Sequence, residues 1–199
     1  MIIWSPTAAC DERGLLILDK LKGVTVWMTG LSGAGKTTIA YAIYEELKSK
    51  GLPCYVADGD VMRAGLNSNL GFSREDRLES IRRLGEAALL FAKEGFVVLA
   101  PIISPYREAR DAIRLRHQQE AVAFIEVYVA TPLEYCESRD PKGLYKLARK
   151  GEINYFTGVS DVYEEPLFPE IILDTKDRTA SESAAEVIGF LRKNLSLPC

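Results

Sequence analysis

A parallel β-sheet covered by helices on both faces is the fold class this chain predicts, and three observations predict it. Strand-like and helix-like segments alternate along its whole length. A glycine-rich octapeptide, Gly30-Leu31-Ser32-Gly33-Ala34-Gly35-Lys36-Thr37, stands between one such strand and one such helix. An acidic pair, Asp58 and Asp60, follows the next strand, which puts it at the carboxyl edge of the sheet, where open α/β folds bind ligands.

The elements follow in order. Residues 24–29 form a β-branched, apolar run that reads as a buried strand, and residues 38–47 have helical spacing. Lys50-Gly51-Leu52-Pro53 is a turn before a second strand at 54–57. A long helix is expected over 73–93, with Ser73 as N-cap and Asp76 at the reciprocal position of a capping box. Glu94-Gly95 ends it. The third strand is 96–100, a helix follows at 106–120, and the fourth strand is 123–129. A fifth strand at 171–174 and a closing helix at 180–194 complete a five-stranded sheet. The stretch 139–169 differs in kind: it carries Pro141, Gly143, Gly151, Gly158, Pro166 and Pro169 and little periodicity beyond a short helix near 144–150. Such a length in a compact domain marks a mobile functional segment, here a lid, or disorder. One domain over 1–199 is expected, with an N-terminal extension at 1–21 whose first twenty or so residues hold one amphipathic helix.

Composition narrows the function. Hydrophobic content of 47% and charged content of 27% suit a soluble globular protein with one core. A net charge of -3 gives no global basic field, so no nucleic-acid partner is expected and any anionic ligand needs a local basic cluster. There is no apolar run of membrane-spanning length and no basic-then-apolar signal segment, so no membrane partner and a cytoplasmic location are expected. Cys10, Cys54, Cys136 and Cys199 form no CxxC pair, which argues against a metal centre or a disulfide framework. Cys54 and Cys136 read as small buried hydrophobes, and His117, within Arg114-Leu115-Arg116-His117-Gln118, reads as solvated surface.

The octapeptide matches GxxxxGK[ST] at every fixed position, in the strand–loop–helix context that the motif requires. Its glycines let successive N–H groups point around a phosphate chain at the positive end of the following helix. Lys36 reaches the β- and γ-phosphates of a nucleoside triphosphate and the Thr37 hydroxyl ligates Mg²⁺. A GTPase would show Asn-Lys-x-Asp, and Asp174-Thr175-Lys176-Asp177 lacks the Asn. A hydrolytic ATPase would carry a carboxylate after the third strand, which runs into Pro101 instead. The acidic pair after the second strand is the arrangement of small nucleotide and metabolite kinases. Arg63, Arg77, Arg82, Arg83, Arg107 and Arg110 all lie in segments that follow strand ends, which points to a second, anionic substrate. Of the neighbours Arg82 and Arg83, at most one faces a site on a helix.

These residues together resemble the adenylylsulfate kinases, a family of the P-loop nucleoside triphosphate hydrolase fold that phosphorylates the 3′-hydroxyl of adenosine 5′-phosphosulfate. The likeness runs from Trp4-Ser5-Pro6 and GLSGAGKTT through Asp58-Gly59-Asp60, Arg63, Gly65-Leu66-Asn67, Leu70-Gly71-Phe72-Ser73 and Asp76-Arg77. It continues through Ile81-Arg82-Arg83, Ile103-Ser104-Pro105-Tyr106-Arg107, Phe124-Ile125-Glu126-Val127, Arg139-Asp140-Pro141-Lys142-Gly143-Leu144-Tyr145 and Phe156-Thr157-Gly158. ISPYR and DPKGLY are far more specific than the P-loop. The resemblance implies that residues 30–38, with Lys142 from the lid, bind ATP. It implies that Phe72 and Phe156 sandwich the acceptor's adenine while Arg63 and Arg77 hold its phosphosulfate. Asp58, Ser80, Ile103 and Ser104 join the acceptor side, and Thr37 and Asp58 the metal. Asp60 would orient the 3′-hydroxyl and accept its proton. Ser104 matches a serine assigned in the family as a phosphoserine intermediate; in-line transfer needs no covalent relay, and no adjacent base activates this serine, so capping or positioning the next helix is its expected role. Ser80 stands where many relatives have Asn, and Ser5 where many have His. A homodimer is implied. The alternatives are a related kinase for another small anionic nucleotide and a non-catalytic nucleotide-sensing domain.

Overall fold

The protein is described here by a computed structural model covering residues 23–195 and, ahead of them, the pairs 9–10 and 16–17. Its centre is β3 (Val24–Thr29), buried at every residue. β1 (Ala9–Cys10) and β2 (Leu16–Ile17) make a separate antiparallel ribbon. The helix expected in the first twenty residues lies mostly outside the described residues, and the four that are described pair as strands instead.

Five parallel strands form the main sheet in the order β4 (Cys54–Val56), β5 (Val97–Pro101), β3, β6 (Ala123–Val129), β7 (Ile171–Leu173). The crossovers are helical, as parallel pairing demands. α1 (Lys36–Ser49) leaves β3, and α2 (Gly59–Ala64) with α3 (Arg74–Lys93) joins β4 to β5. α4 (Arg107–Gln119) then carries the chain across β3 to β6. α5 (Leu133–Arg139) and α6 (Leu144–Arg149) precede β7, and α7 (Ala180–Leu195) closes the fold. Because successive strands fall first on one side of β3 and then on the other, a crevice opens at its carboxyl end.

Side-chain alternation along β3 builds two cores. Val24, Val26 and Met28 pack in the cluster containing Ile39, Ile43, Val187 and Leu191 of α1 and α7. Trp27 faces the other way, among Ile81, Leu84, Ala109, Ile113 and Phe124. There α3 and α4 approach closely at Gly85, where a Cβ would stand 2.2 Å from Ile113 Cδ1. α3 begins at the expected N-cap, with Ser73 Oγ accepting from the Asp76 N–H at 3.2 Å.

After β4, Asp58 caps α2, its Oδ1 accepting from the Asp60 N–H at 2.8 Å. One local reading is corrected. His117 is fully buried rather than solvated. It follows Ala109 and Ile113 at four-residue spacing, so it falls on the sheet-facing stripe of α4 despite its charged sequence neighbours. One ring nitrogen meets Thr25 Oγ1 and the other the Ile113 carbonyl, both at 2.9 Å, and the ring packs against Phe124.

Burial holds His117 below its ordinary value of 6.5, so the folded chain resists a proton that the unfolded chain accepts. The sign follows: the His117 contribution to unfolding free energy declines as pH falls below about 6.5 and is constant above it. Denaturant titrations between pH 7.5 and 5.5 should show that decline, and His117→Gln should flatten it while costing roughly 1–3 kcal/mol at pH 7.5. His117 is the chain's one histidine, so the slope in this window has one histidine source.

Candidate active site

Three backbone angles shape the loop after β3. Gly30, Gly33 and Gly35 take φ of 145°, 74° and 99°, values that disfavour any side chain. At Gly30 a Cβ would also stand 2.5 Å from the Val129 carbonyl. Gly35 caps α1, so the helix's positive end faces the crevice. Lys36 folds back into the loop, donating to the Gly30 carbonyl at 3.0 Å and the Leu31 carbonyl at 2.7 Å. Burial lowers its pKa to about 8. Thr37 Oγ1 donates to Asp58 Oδ2 at 3.0 Å, joining the loop to α2.

Beside the loop lies a cavity of about 190 Å³ lined by Gly35, Thr38, Arg139, Thr175, Arg178 and Ser183. Thr175 Oγ1 donates to the Ala34 carbonyl at 3.0 Å, and Arg139 grips Thr175 through its hydroxyl and its carbonyl at 2.9 and 2.7 Å. Sequence reasoning missed this wall. The available signal was position: Thr175 follows the last strand, at the same carboxyl edge as the loop.

On the other flank of α2, Arg63 lays its guanidinium 4.2 Å from the Phe72 ring centroid and bonds the Gly71 carbonyl at 3.1 Å. Burial, then the nearby Arg77 guanidinium, lowers its pKa. Arg77 bonds the Phe72 carbonyl at 3.0 Å and the Tyr155 carbonyl at 2.6 Å, bringing the Phe72 loop beside the residue that precedes Phe156. Phe72 is exposed, whereas Phe156 is buried edge-on against Tyr145. Next to Phe156, the Thr157 hydroxyl is buried with no hydrogen-bond partner among the described residues. Asp60 is exposed and pairs with Lys142, which reaches across from the segment expected as a lid.

That segment is not uniform. Tyr145 is buried, with its hydroxyl on the Ser32 carbonyl at 3.0 Å, and Asp161 Oδ2 accepts from the Tyr106 hydroxyl at 2.8 Å. Glu164 accepts from the Arg107 N–H at 2.7 Å, and Tyr163 meets Thr29 at 2.9 Å. Residues 161–165 are thus strapped to the loop after β5.

Ser104 lies in that loop, in a left-handed conformation at φ 41°. Its hydroxyl accepts from the Trp27 indole at 3.1 Å and is 1% exposed, so it does not cap α4. The N-cap is Tyr106, whose side chain makes no capping bond to the helix. Thr29 Oγ1 donates to the Ile103 carbonyl at 2.7 Å, fixing the same turn. Arg110 is fully buried and bonds Glu126 at 2.8 Å and the Ser104 and Glu164 carbonyls at 2.6 Å, which makes it a structural tie. Arg107 bonds the Glu165 carbonyl, and Arg82 and Arg83 share Glu79. Of the six arginines, Arg63 and Arg77 border the crevice beside Phe72. Ser80 is buried, and its hydroxyl accepts from Asn67 Nδ2 at 2.9 Å.

A phosphate loop and an arginine–aromatic pocket thus lie on either side of one short helix. The adenylylsulphate kinase family profile matches residues 22–174. The chain belongs to that family. An adenylyl-sulfate kinase of Geotalea uraniireducens is 54% identical over 170 residues, covering 85% of this chain and 81% of the relative. One from Saccharomyces bayanus is 49% identical over 190 residues, covering 96% of this chain and 93% of the relative. The Mycobacterium tuberculosis APS kinase CysC, solved in complex with AMPPNP and APS, superposes with a TM-score of 0.84 at 48% identity, over 86% of this chain and 98% of that one. The fold is therefore the P-loop nucleoside triphosphatase fold and the chain is an enzyme, a kinase of this family.

Ser104 gives a test of how the site is built. Its hydroxyl is committed to Trp27 and shielded from solvent, so Ser104→Ala should keep turnover within about tenfold of the parent while losing roughly 1–2 kcal/mol of stability. Intact mass after incubation with ATP should show no phosphate gained by the parent chain at this residue.

Proposed function

We propose that this chain transfers the γ-phosphoryl group of ATP to the 3′-hydroxyl of adenosine 5′-phosphosulfate, releasing ADP and 3′-phosphoadenosine 5′-phosphosulfate. One observation carries the reading: α2 joins a donor site to an acceptor site within six residues. Its cap, Asp58, holds Thr37 of the phosphate loop, and Arg63 one turn later stacks on Phe72. Asp60, between them, has only the exposed Lys142 ammonium as its ion-pair partner among the described residues.

Residues 30–38 cradle the triphosphate and the cavity beside Thr38, Arg139 and Thr175 takes the ATP base. Lys36 exchanges two carbonyls for phosphate oxygens, and the added negative charge holds it protonated. Thr37 and Asp58 offer two hard oxygens side by side, a set that suits Mg²⁺ when phosphates and water complete its shell. When bound, the ion neutralises charge on the β- and γ-phosphates. Asp60 takes the 3′-hydroxyl proton as the ribose oxygen bonds to the γ-phosphorus and the bond to the β–γ bridging oxygen breaks. Arg63 leaves Phe72 for the phosphosulfate, which Arg77 also holds, and frees the ring face for adenine. Phe156 closes the other side of that base, Thr157 gains the partner it lacks, and Ile103 with Ser104 forms the floor. Lys142 moves from Asp60 onto the phosphates, and the lid segment that carries it excludes water. A homodimer acting in cytoplasmic sulfate assimilation completes the reading. Among the described residues no helix is long and apolar enough to cross a membrane.

A coupled ADP-release assay with ATP, Mg²⁺ and adenosine 5′-phosphosulfate tests this, with other small anionic nucleotides as competing acceptors. Lys36→Ala should lower turnover at least about a hundredfold by removing charge stabilisation in the transition state. Phe72→Ala should raise the acceptor KM about tenfold through lost base stacking and leave the ATP KM unchanged. Turnover only with a different acceptor, or none at all, would overturn the assignment.

A further inference from the structure

We propose that Ser80 is a positioning residue for the acceptor pocket, acting through Asn67 rather than touching the nucleotide, and that the pair tunes how tightly acceptor, not ATP, is held. The inference rests on the acceptor site assigned above. Ser80 lies one turn after Arg77 on α3, on the side that meets the α2–α3 connection. It is 5% exposed, and its hydroxyl accepts from Asn67 Nδ2 at 2.9 Å. Asn67 is 1% exposed and is the knot of residues 65–71: its N–H donates to the Met62 carbonyl at 2.8 Å, and its carbonyl accepts from the Leu70 N–H at 3.0 Å.

That connection runs between the two acceptor-side groups. Arg63 stands before it and Phe72 after it, and Arg63 bonds the Gly71 carbonyl inside it. Its ties to α3 are few. Arg83 holds the Leu66 carbonyl at 2.8 Å and Asn69 Oδ1 at 2.7 Å from the exposed side, and Ser80 holds Asn67 from the buried side. Asn67 Oδ1 is buried without a partner, so the Ser80 hydroxyl is the one hydrogen-bond partner of that side-chain amide among the described residues. Without it, the Nδ2 end loses its bond too, neither end of a buried amide is satisfied, and the connection relaxes outward until water reaches them. Phe72 and the carbonyl that aims Arg63 then move with it. The contacts of Lys36 and Thr37 involve neither Ser80 nor Asn67.

Steady-state kinetics for both substrates, with thermal unfolding, should be compared for the parent, Ser80→Ala, Ser80→Thr, Asn67→Leu and the Ser80→Ala/Asn67→Leu double variant. The expected result is an acceptor KM raised roughly fivefold to tenfold in Ser80→Ala and in Asn67→Leu, with kcat and the ATP KM within about twofold. The double variant should be no worse than the weaker single, and Ser80→Thr should retain the parental acceptor KM. Multiplying effects in the double variant would show that Ser80 contacts substrate by itself and overturn the proposal. So would an unchanged acceptor KM in Ser80→Ala, or an equal rise in the ATP KM. Should Ser80→Ala fail to fold, Ser80→Cys, which keeps the shape but donates and accepts weakly, carries the same comparison. A parent chain that releases no ADP with adenosine 5′-phosphosulfate would sink the functional reading itself before any variant is made.

Discussion

The hydrogen bond from Thr37 to Asp58 is the contact on which the geometry of this site depends. It joins the first turn of α1 to the cap of α2, two elements that belong to different strands of the sheet. Asp58 divides its two oxygens between them, with Oδ2 accepting from Thr37 and Oδ1 holding the Asp60 N–H at the start of its own helix. The direction of α2 is therefore set by the phosphate loop. Everything α2 carries, Asp60 first and Arg63 a turn later, inherits its position from that one carboxylate. A phosphoryl transfer needs donor and acceptor held in line to a fraction of an ångström, and a six-residue helix is too short to bend between them.

Electrostatics separates the arginines that build the site from those that build the scaffold. Arg110 is matched by Glu126 and by two carbonyls, and it is fully buried; removing Glu126 would strand its charge, a cost of about 3–5 kcal/mol. It locks the turn after β5 to the strap at 161–165. Arg63 and Arg77 meet carbonyls and an exposed ring instead, with a long 3.9 Å approach from Asp161 to Arg77 as their one ion-pair contact among the described residues. Lys36 follows the same pattern, with two carbonyls at its ammonium and a pKa lowered by burial. Cations held by neutral oxygens keep their charge available for an anionic ligand. The hydroxyl of Thr157, buried and unpartnered, is the neutral counterpart of that design.

The strand positions, the long helices, the Ser73 cap and the P-loop were all legible from residue order. A β-branched run, a cap three residues before its partner and a glycine-rich turn act over short stretches of chain, so the signal is contained in neighbours along the sequence. His117 misled because the charges beside it in sequence lie off the sheet-facing stripe of α4, and its partner Thr25 is supplied by a strand far away in the chain. The capping role expected of Ser104 failed in the same way: the residue that claims its hydroxyl is Trp27, in β3, and the helix that begins beside it is held through the Ser104 carbonyl instead. α2 was hidden because six residues are too few to show a period.

By itself the chain determined its sheet, its nucleotide loop and its family, since each depends on residue types at fixed short spacing. Which arginine meets a carboxylate and which a ring, where the cavity beside Thr175 opens, and how Asn67 comes to hang on Ser80 were decided only in three dimensions. The physical reason is that desolvation and hydrogen-bond satisfaction depend on the full surroundings of a group. Those surroundings are assembled from strands and helices that the sequence keeps tens of residues apart.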